Sequence, residues 1–129
     1  MTRNGEIRSY RDLLIWQKGM GLARQVYTMT CAFPGEERFG LTAQMKRAAV
    51  SVPSNIAEGQ VRQGRKEFVQ FLSHAEGSLA ELDTQLMLAV DLGYSRPTDA
   101  RRSVTMIVEL QKMIAFLRGK LAPRLGTSH

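Results

Sequence analysis

Residues 41–59 read LTAQMKRAAVSVPSNIAEG, and the rest of the chain is organised around them. At a helical spacing of about 100° per residue, Leu41, Met45, Ala48, Val52 and Ile56 line up as a core stripe. Gln44, Arg47, Ser51, Asn55 and Glu58 form a polar stripe beside it, and Phe39, Ala43, Val50 and Ala57 fall on a third line. A solvent-facing helix has no use for a second apolar line, so this helix is expected to pack on both sides. The second partner is another element of the chain or another subunit. Pro53 lies inside the pattern: it removes the hydrogen bond to the Ala49 carbonyl and disfavours helical geometry at Val52, which predicts a kink or break. Ser51, Ser54 and Asn55 can bond the freed backbone. The small residues around them permit close helix approach. A kinked core helix and a kinked helix at a subunit interface both fit. The second is preferred, with Ala43, Val50, Pro53 and Ala57 at the interface.

Upstream, Ser9 is a candidate N-cap with Asp12 in the first turn. Leu13, Trp16, Met20, Ala23, Tyr27 and Thr30 then keep helical spacing until the turn signal Phe33-Pro34-Gly35. Downstream, Gly64 makes a turn, and a third helix runs from about Arg65 to Leu92 with Phe68, Leu72, Ala75, Leu79, Leu82, Leu86 and Val90 in register. Gly93 is its natural C′ residue. Pro97 suits the first turn of a fourth helix, whose core line reads Val104, Ile107, Gln111, Ile114, Leu117 and Leu121. Period-two segments and internal repeats are absent. Short turns between four helices imply an all-α, antiparallel up-down-up-down four-helix bundle. It occupies residues 1–129 as one domain, with flexible ends at 1–8 and 122–129.

Eighteen Lys plus Arg against twelve acids give a net charge of +6, an argument for polyanion partners rather than for a fold. Arginine outnumbers lysine thirteen to five, which leans toward phosphate recognition. Cys31 is the sole cysteine, so an intrachain disulfide and a cysteine zinc cluster are both excluded. The polar start MTRNGEIRSYRD lacks a signal-peptide core, and no apolar run approaches the roughly 20 residues of a membrane span. A soluble, cytoplasmic protein without membrane contact is expected.

Catalytic chemistry is not apparent. The two histidines make no Glu-x-x-His pairs, Cys31 and His74 lie on different helices, and no Gly-rich phosphate loop occurs. Arg124 and His129 share an Arg-x4-His spacing with one class of helical ribonucleases, but in a tail broken by Pro123 and Gly126. No cofactor, metal or enzyme activity is expected.

The polar stripes suggest a network. If the second and third helices form a hairpin about Arg62, Arg47 meets Ser78 and Glu81, Ser51 meets His74, and Asn55 meets Gln70. A network of Arg47, Ser51, Asn55, His74 and Glu81 that fixes register is the preferred reading, and a binding site the other. Antiparallel topology also sorts the charges. One end collects Arg3, Arg8, Arg11, Arg62, Arg65, Lys66, Arg118, Lys120 and Arg124 against Glu6, Asp12, Glu58 and Glu67. The other balances Arg38, Arg96, Arg101 and Arg102 against Glu36, Glu37, Asp91 and Asp99. Arg8, Arg11, Arg62, Arg65, Lys66, Arg118 and Lys120 are therefore the candidate nucleic-acid-binding residues. Tyr10 is the one clear aromatic near them, so the expected mode is phosphate contact with little sequence reading.

QMKRAAVSVPSNIAEG at 44–59, EF at 67–68 and AEGSLAELDTQL at 75–86 resemble the bacterial four-helix-bundle family known from intervening sequences of large-subunit ribosomal RNA genes. LLIWQKGMGLARQVYTMT and FPGEERFGL fit the same pattern, so the resemblance spans roughly residues 10–95. It implies a cyclic homo-oligomer, typically a pentamer, shaped as a barrel or ring. The related accessory variability determinant of diversity-generating retroelements binds nucleic acid and a reverse transcriptase; its fold alone carries over. The expected function is non-catalytic binding of RNA or DNA through the basic end. A protein-interaction scaffold with incidental charge, acting on a protein partner, is the alternative.

Overall fold

The apolar spacing of the sequence produces helices at nearly the expected bounds in the computed structural model, which describes residues 7–122. These residues form α1 (Leu14–Thr30), α2 (Leu41–Val61), α3 (Arg65–Asp91) and α4 (Pro97–Leu121), with short 3-10 turns at Tyr10–Asp12 and Gly35–Glu37. No strand occurs among the described residues. Each helix packs on the next, and α1 also packs on α4, so four helices surround one core. The whole core stripe of α2 is buried, together with Leu72, Leu79, Leu82 and Leu86 of α3. Removing such side chains from water is the main stabilising term, at about 1.5–3 kcal/mol each.

Pro53 does not break α2, which runs unbroken from Leu41 to Val61. The ring is buried against Gly19 of α1. A Cβ placed on Gly19 would sit 3.4 Å from the Pro53 Cβ, an ordinary contact distance. The α2–α3 pair is closer still: a Cβ on Gly59 would lie 2.8 Å from the Phe71 Cβ and 2.9 Å from Phe68 Cδ1. The positive φ of the α2–α3 turn falls on Gln63, at 63°, rather than on Gly64, which is the N-cap of α3.

Two core stripes differ in part from expectation. In α1 the buried residues are Ile15, Gly19, Leu22, Ala23, Val26, Met29 and Thr30, whereas Trp16 and Met20 are half-buried and Tyr27 is exposed. The cause is local. Ser9 caps the 3-10 turn, not α1: its Oγ accepts the Arg11 N–H at 3.2 Å and the Asp12 carboxylate accepts the Ser9 N–H at 3.3 Å. In α4 the fully buried line is Ala100, Ser103, Ile107, Leu110 and Ile114. Of the expected line it contains Ile107 and Ile114, while Val104, Leu117 and Leu121 are partly buried against the core. The Ser103 hydroxyl donates to the Met29 sulfur at 3.3 Å, which satisfies it inside the core.

The α3 terminus has Schellman geometry: the Gly93 N–H donates to the Val90 carbonyl and the Tyr94 N–H to the Ala89 carbonyl, with Gly93 at φ 78°. Tyr94 stacks on Phe33 at 5.8 Å and donates its hydroxyl to Glu37 at 2.9 Å. The same carboxylate accepts the first N–H of α2, from Leu41, at 2.9 Å. The Leu41 bond first and the Tyr94 bond second hold Glu37 below the usual carboxylate value. The shared bond to Glu37, with burial behind it, pushes Tyr94 up. Among the described residues no helix is long and apolar enough to cross a membrane.

Candidate nucleic-acid interface

The basic residues divide into those already engaged and those left open. At the α2–α3 turn, Arg62 pairs with Glu58 one helical turn back, at 2.9 Å, and its guanidinium lies 5.2 Å from the centre of the Phe71 ring. Arg65 and Lys66 follow immediately, exposed, with no ion pair among the described residues. On α4, Arg118 does not belong to an open rim. It forms a two-pronged pair with Glu76 of α3, at 2.7 and 3.3 Å, because α4 brings its guanidinium alongside that partly buried carboxylate. Lys120 is exposed and lies 5.0 Å above the Phe116 ring.

Arg8 and Arg11 are exposed around the first 3-10 turn, where the Arg8 N–H donates to Asp12. Arg11 lies 5.6 Å from the Tyr10 ring centre, and Tyr10 is itself packed edge-on against Trp16 at 5.4 Å. Tyr10 is therefore partly used up as a stacking surface. Arg3, Glu6 and Arg124, which belong to the same charge balance, lie outside the described residues, as do most of the chain ends expected to be flexible.

The polar network takes another form. Arg47 is exposed and makes no ion pair with Glu81, because an arginine that can reach water does not bear the cost of a buried pair. Glu81 instead accepts from Gln85 at 3.4 Å, and Gln85 keeps a buried Oε1 with no partner. His74 is exposed and rests edge-on against Phe71 at 5.7 Å rather than on Ser51. Ser51 Oγ lies 2.5 Å from Ser78 Oγ and donates to the Ala48 carbonyl at 2.7 Å. Asn55 bonds the Ser51 carbonyl at 2.7 Å, not Gln70. Among the described residues, the serine pair is the one side-chain hydrogen bond from α2 to α3.

The third line of α2 opens onto a groove of about 340 Å³ shared with α1. Val50 is 40% exposed there, Ala57 is half-buried beside it, and Trp16 and Met20 face them from α1. Pro53 lines its floor but is covered by α1 within the chain. Ala43 is half-buried on the same line, while Phe39 has left the helix and stands 85% exposed in the preceding turn under Arg38. A second apolar groove, about 430 Å³, lies between α3 and α4 and is lined by Leu86, Met87, Val90, Pro97, Ala100 and Val104.

Cys31 is exposed at the end of α1, with its thiol donating to the Tyr27 carbonyl at 3.3 Å. No group of three or more His, Cys, Asp or Glu able to hold a metal ion occurs among the described residues. Sequence reasoning missed Phe116, which is 67% exposed. Its signal was present: the residue lies off the apolar stripe of α4, with Lys112 and Lys120 four positions to either side.

No curated protein matches the chain. The family model described as 23S rRNA-intervening sequence protein matches residues 11–116.

Proposed function

Because the chain belongs to the 23S rRNA-intervening sequence protein family, we propose that it is a non-catalytic, cytoplasmic, oligomeric protein that binds RNA or DNA through a basic end. The observation that carries this reading is the pair Arg65 and Lys66, exposed at the α2–α3 turn with no acid engaging them among the described residues. Arg8, Arg11 and Lys120 add open charge. Arg118 is subtracted and Arg62 is half-committed. Such a surface contacts phosphates and reads little sequence.

The contacts of Gly59 with Phe68 and of Ser51 with Ser78 support an antiparallel α2–α3 hairpin within an up-down-up-down bundle. The open groove along Val50 and Ala57 supports self-association on the α1–α2 face, and the resemblance supports a closed ring of five. In a ring the basic end repeats about an axis, and avidity multiplies weak phosphate contacts.

The test is a binding titration with structured RNA, single-stranded RNA and duplex DNA at several salt concentrations. Arg65→Ala with Lys66→Ala should weaken binding and flatten the log–log salt slope by about 0.7–0.9 for each phosphate no longer neutralised. Arg101→Ala with Arg102→Ala removes equal charge from the opposite end and should change little. Equal weakening by both pairs would reduce the effect to net charge. No binding even at low salt would favour a protein-interaction scaffold, a reading that the apolar α3–α4 groove supports.

A further inference from the structure

Along the outward line of α4, Lys112, Phe116 and Lys120 stand four residues apart, so each lysine's Cα lies about one turn, roughly 6 Å along the axis, from that of Phe116. The opposite face of the helix carries the buried Ile107, Leu110 and Ile114. Phe116 therefore cannot reach the core, and at 67% exposure it adds little to the fold. One side of its ring carries the Lys120 ammonium, at 5.0 Å. The acid of α4 closest to this line in sequence, Glu109, is neutralised by Lys18 of α1 at 3.0 Å. What remains is an apolar plate between two cations.

We propose that this face binds single-stranded nucleic acid, with one unpaired base stacked on Phe116 and the flanking phosphates held by Lys112 and Lys120. The inference rests on the nucleic-acid reading of the basic end and deepens it. Single strands are bound elsewhere by aromatic plates set in positive surfaces, because every base offers a π-face whatever its sequence. A base inside a duplex has both faces covered by its neighbours, so Phe116 selects the unpaired strand. Two lysines beside the ring match phosphates and would repel a cationic partner. Lys120 can exchange the ring face for a phosphate oxygen, since its ammonium is a point charge on a flexible stem. Arg118 takes no part, being held by Glu76.

The probes are a fluorescent 12-nucleotide single-stranded RNA, the same sequence as DNA, and a blunt RNA duplex, titrated at low salt and followed by anisotropy. Wild type should bind both single strands more tightly than the duplex, and the tighter of the two identifies the natural source. Phe116→Ala should weaken single-strand binding about five- to 150-fold, the range for removing one stacked base, and leave duplex binding unchanged. Phe116→Trp should restore it, whereas Phe116→Leu should not. Lys112→Gln with Lys120→Gln should flatten the single-strand salt slope by about 1.4. Thermal melts confirm that each variant is folded, as the outward position requires.

Single-strand binding by Phe116→Ala or Phe116→Leu equal to wild type would overturn the stacking site. If Arg65→Ala with Lys66→Ala still weakened binding in that case, the basic-end reading would stand without it. Failure of wild type to bind any probe would overturn both.

Discussion

Gly59→Ala puts a methyl group where α2 and α3 have no room for one. The added carbon would lie 2.8 Å from the Phe71 Cβ, 2.9 Å from Phe68 Cδ1 and 3.5 Å from the Phe68 Cα. The Phe68 ring can swing aside, but the Phe71 Cβ and the Phe68 Cα move only if α3 itself moves. Overpacking of this kind costs about 1–3 kcal/mol, and a clash against atoms fixed to the backbone belongs in the upper part of that range. Alanine recovers roughly 0.5–1 kcal/mol of helix propensity, less near the end of α2 than in its middle. The net effect is a destabilisation of about 1–2 kcal/mol. For a chain of this size that lowers Tm by roughly 3–10 °C.

The matched control is Gly77→Ala, in the middle of α3, where a Cβ meets nothing within 4 Å. It gains the propensity without the clash and should raise stability by about 0.8–1 kcal/mol. Urea unfolding of the two variants beside wild type, with equal m-values, gives both numbers. A Gly59→Ala protein as stable as wild type would refute the reasoning, because the helices would then have slack that the packing denies.

A double-mutant cycle on Glu76 and Arg118 should give a coupling of about 0.5–1 kcal/mol, since the pair is two-pronged but still reached by water. The same cycle on Arg47 and Glu81 should give none, and Arg47→Ala alone should stay within about 0.5 kcal/mol. Glu37 predicts a pH dependence. Its carboxylate is depressed, so its contribution is fully present above the ordinary value of 4.5 and is lost as pH falls through the lower folded value. The stability gap between wild type and Glu37→Gln, measured by urea unfolding across pH, should be constant near neutrality and close under acid. Tyr94 is shifted the other way, so its share persists below the ordinary value of 10.0 and fades as pH rises through the raised one. A gap that widens on acidification would contradict the bond to Glu37.

Periodicity carried most of the fold because burial enforces it. Leu41, Met45, Ala48, Val52 and Ile56 were legible since each is apolar and each faces the core. The Gly93 terminus was legible because the position takes a φ of 78°, which glycine adopts without strain. Failures came where two apolar lines compete. In α1, Trp16 and Tyr27 drew the stripe toward the groove, while the smaller Gly19, Leu22 and Val26 hold the core. In α4, Ser103 is a core residue because its hydroxyl finds the Met29 sulfur, a partner far away in sequence. The network failed for a geometric reason. With Ser51 beside Ser78 and Gly59 against Phe68 and Phe71, Arg47 stays in solvent. Of the candidate interface, sequence supplied the charges but not which of them an acid had already claimed.

The seat of Pro53 on Gly19 has a consequence for motion. A one-turn slip of α1 along α2, about 5.4 Å, would bring Ile15 or Ala23 to the place Gly19 now holds against the ring. A bare Cβ at that place meets the Pro53 ring at 3.4–3.5 Å, an ordinary contact, so Ala23 would fit, whereas Ile15 reaches beyond its Cβ into space the proline fills. The two helices resist the slip that brings up Ile15 and not the one that brings up Ala23. They can still tilt about that point of contact. Motion on the α1–α2 face thus combines a pivot at Pro53 with a slip favoured in one direction only. The widest excursions of that pivot then fall at the far ends of the helices, at Leu14 and Thr30 of α1 and at Leu41 and Val61 of α2.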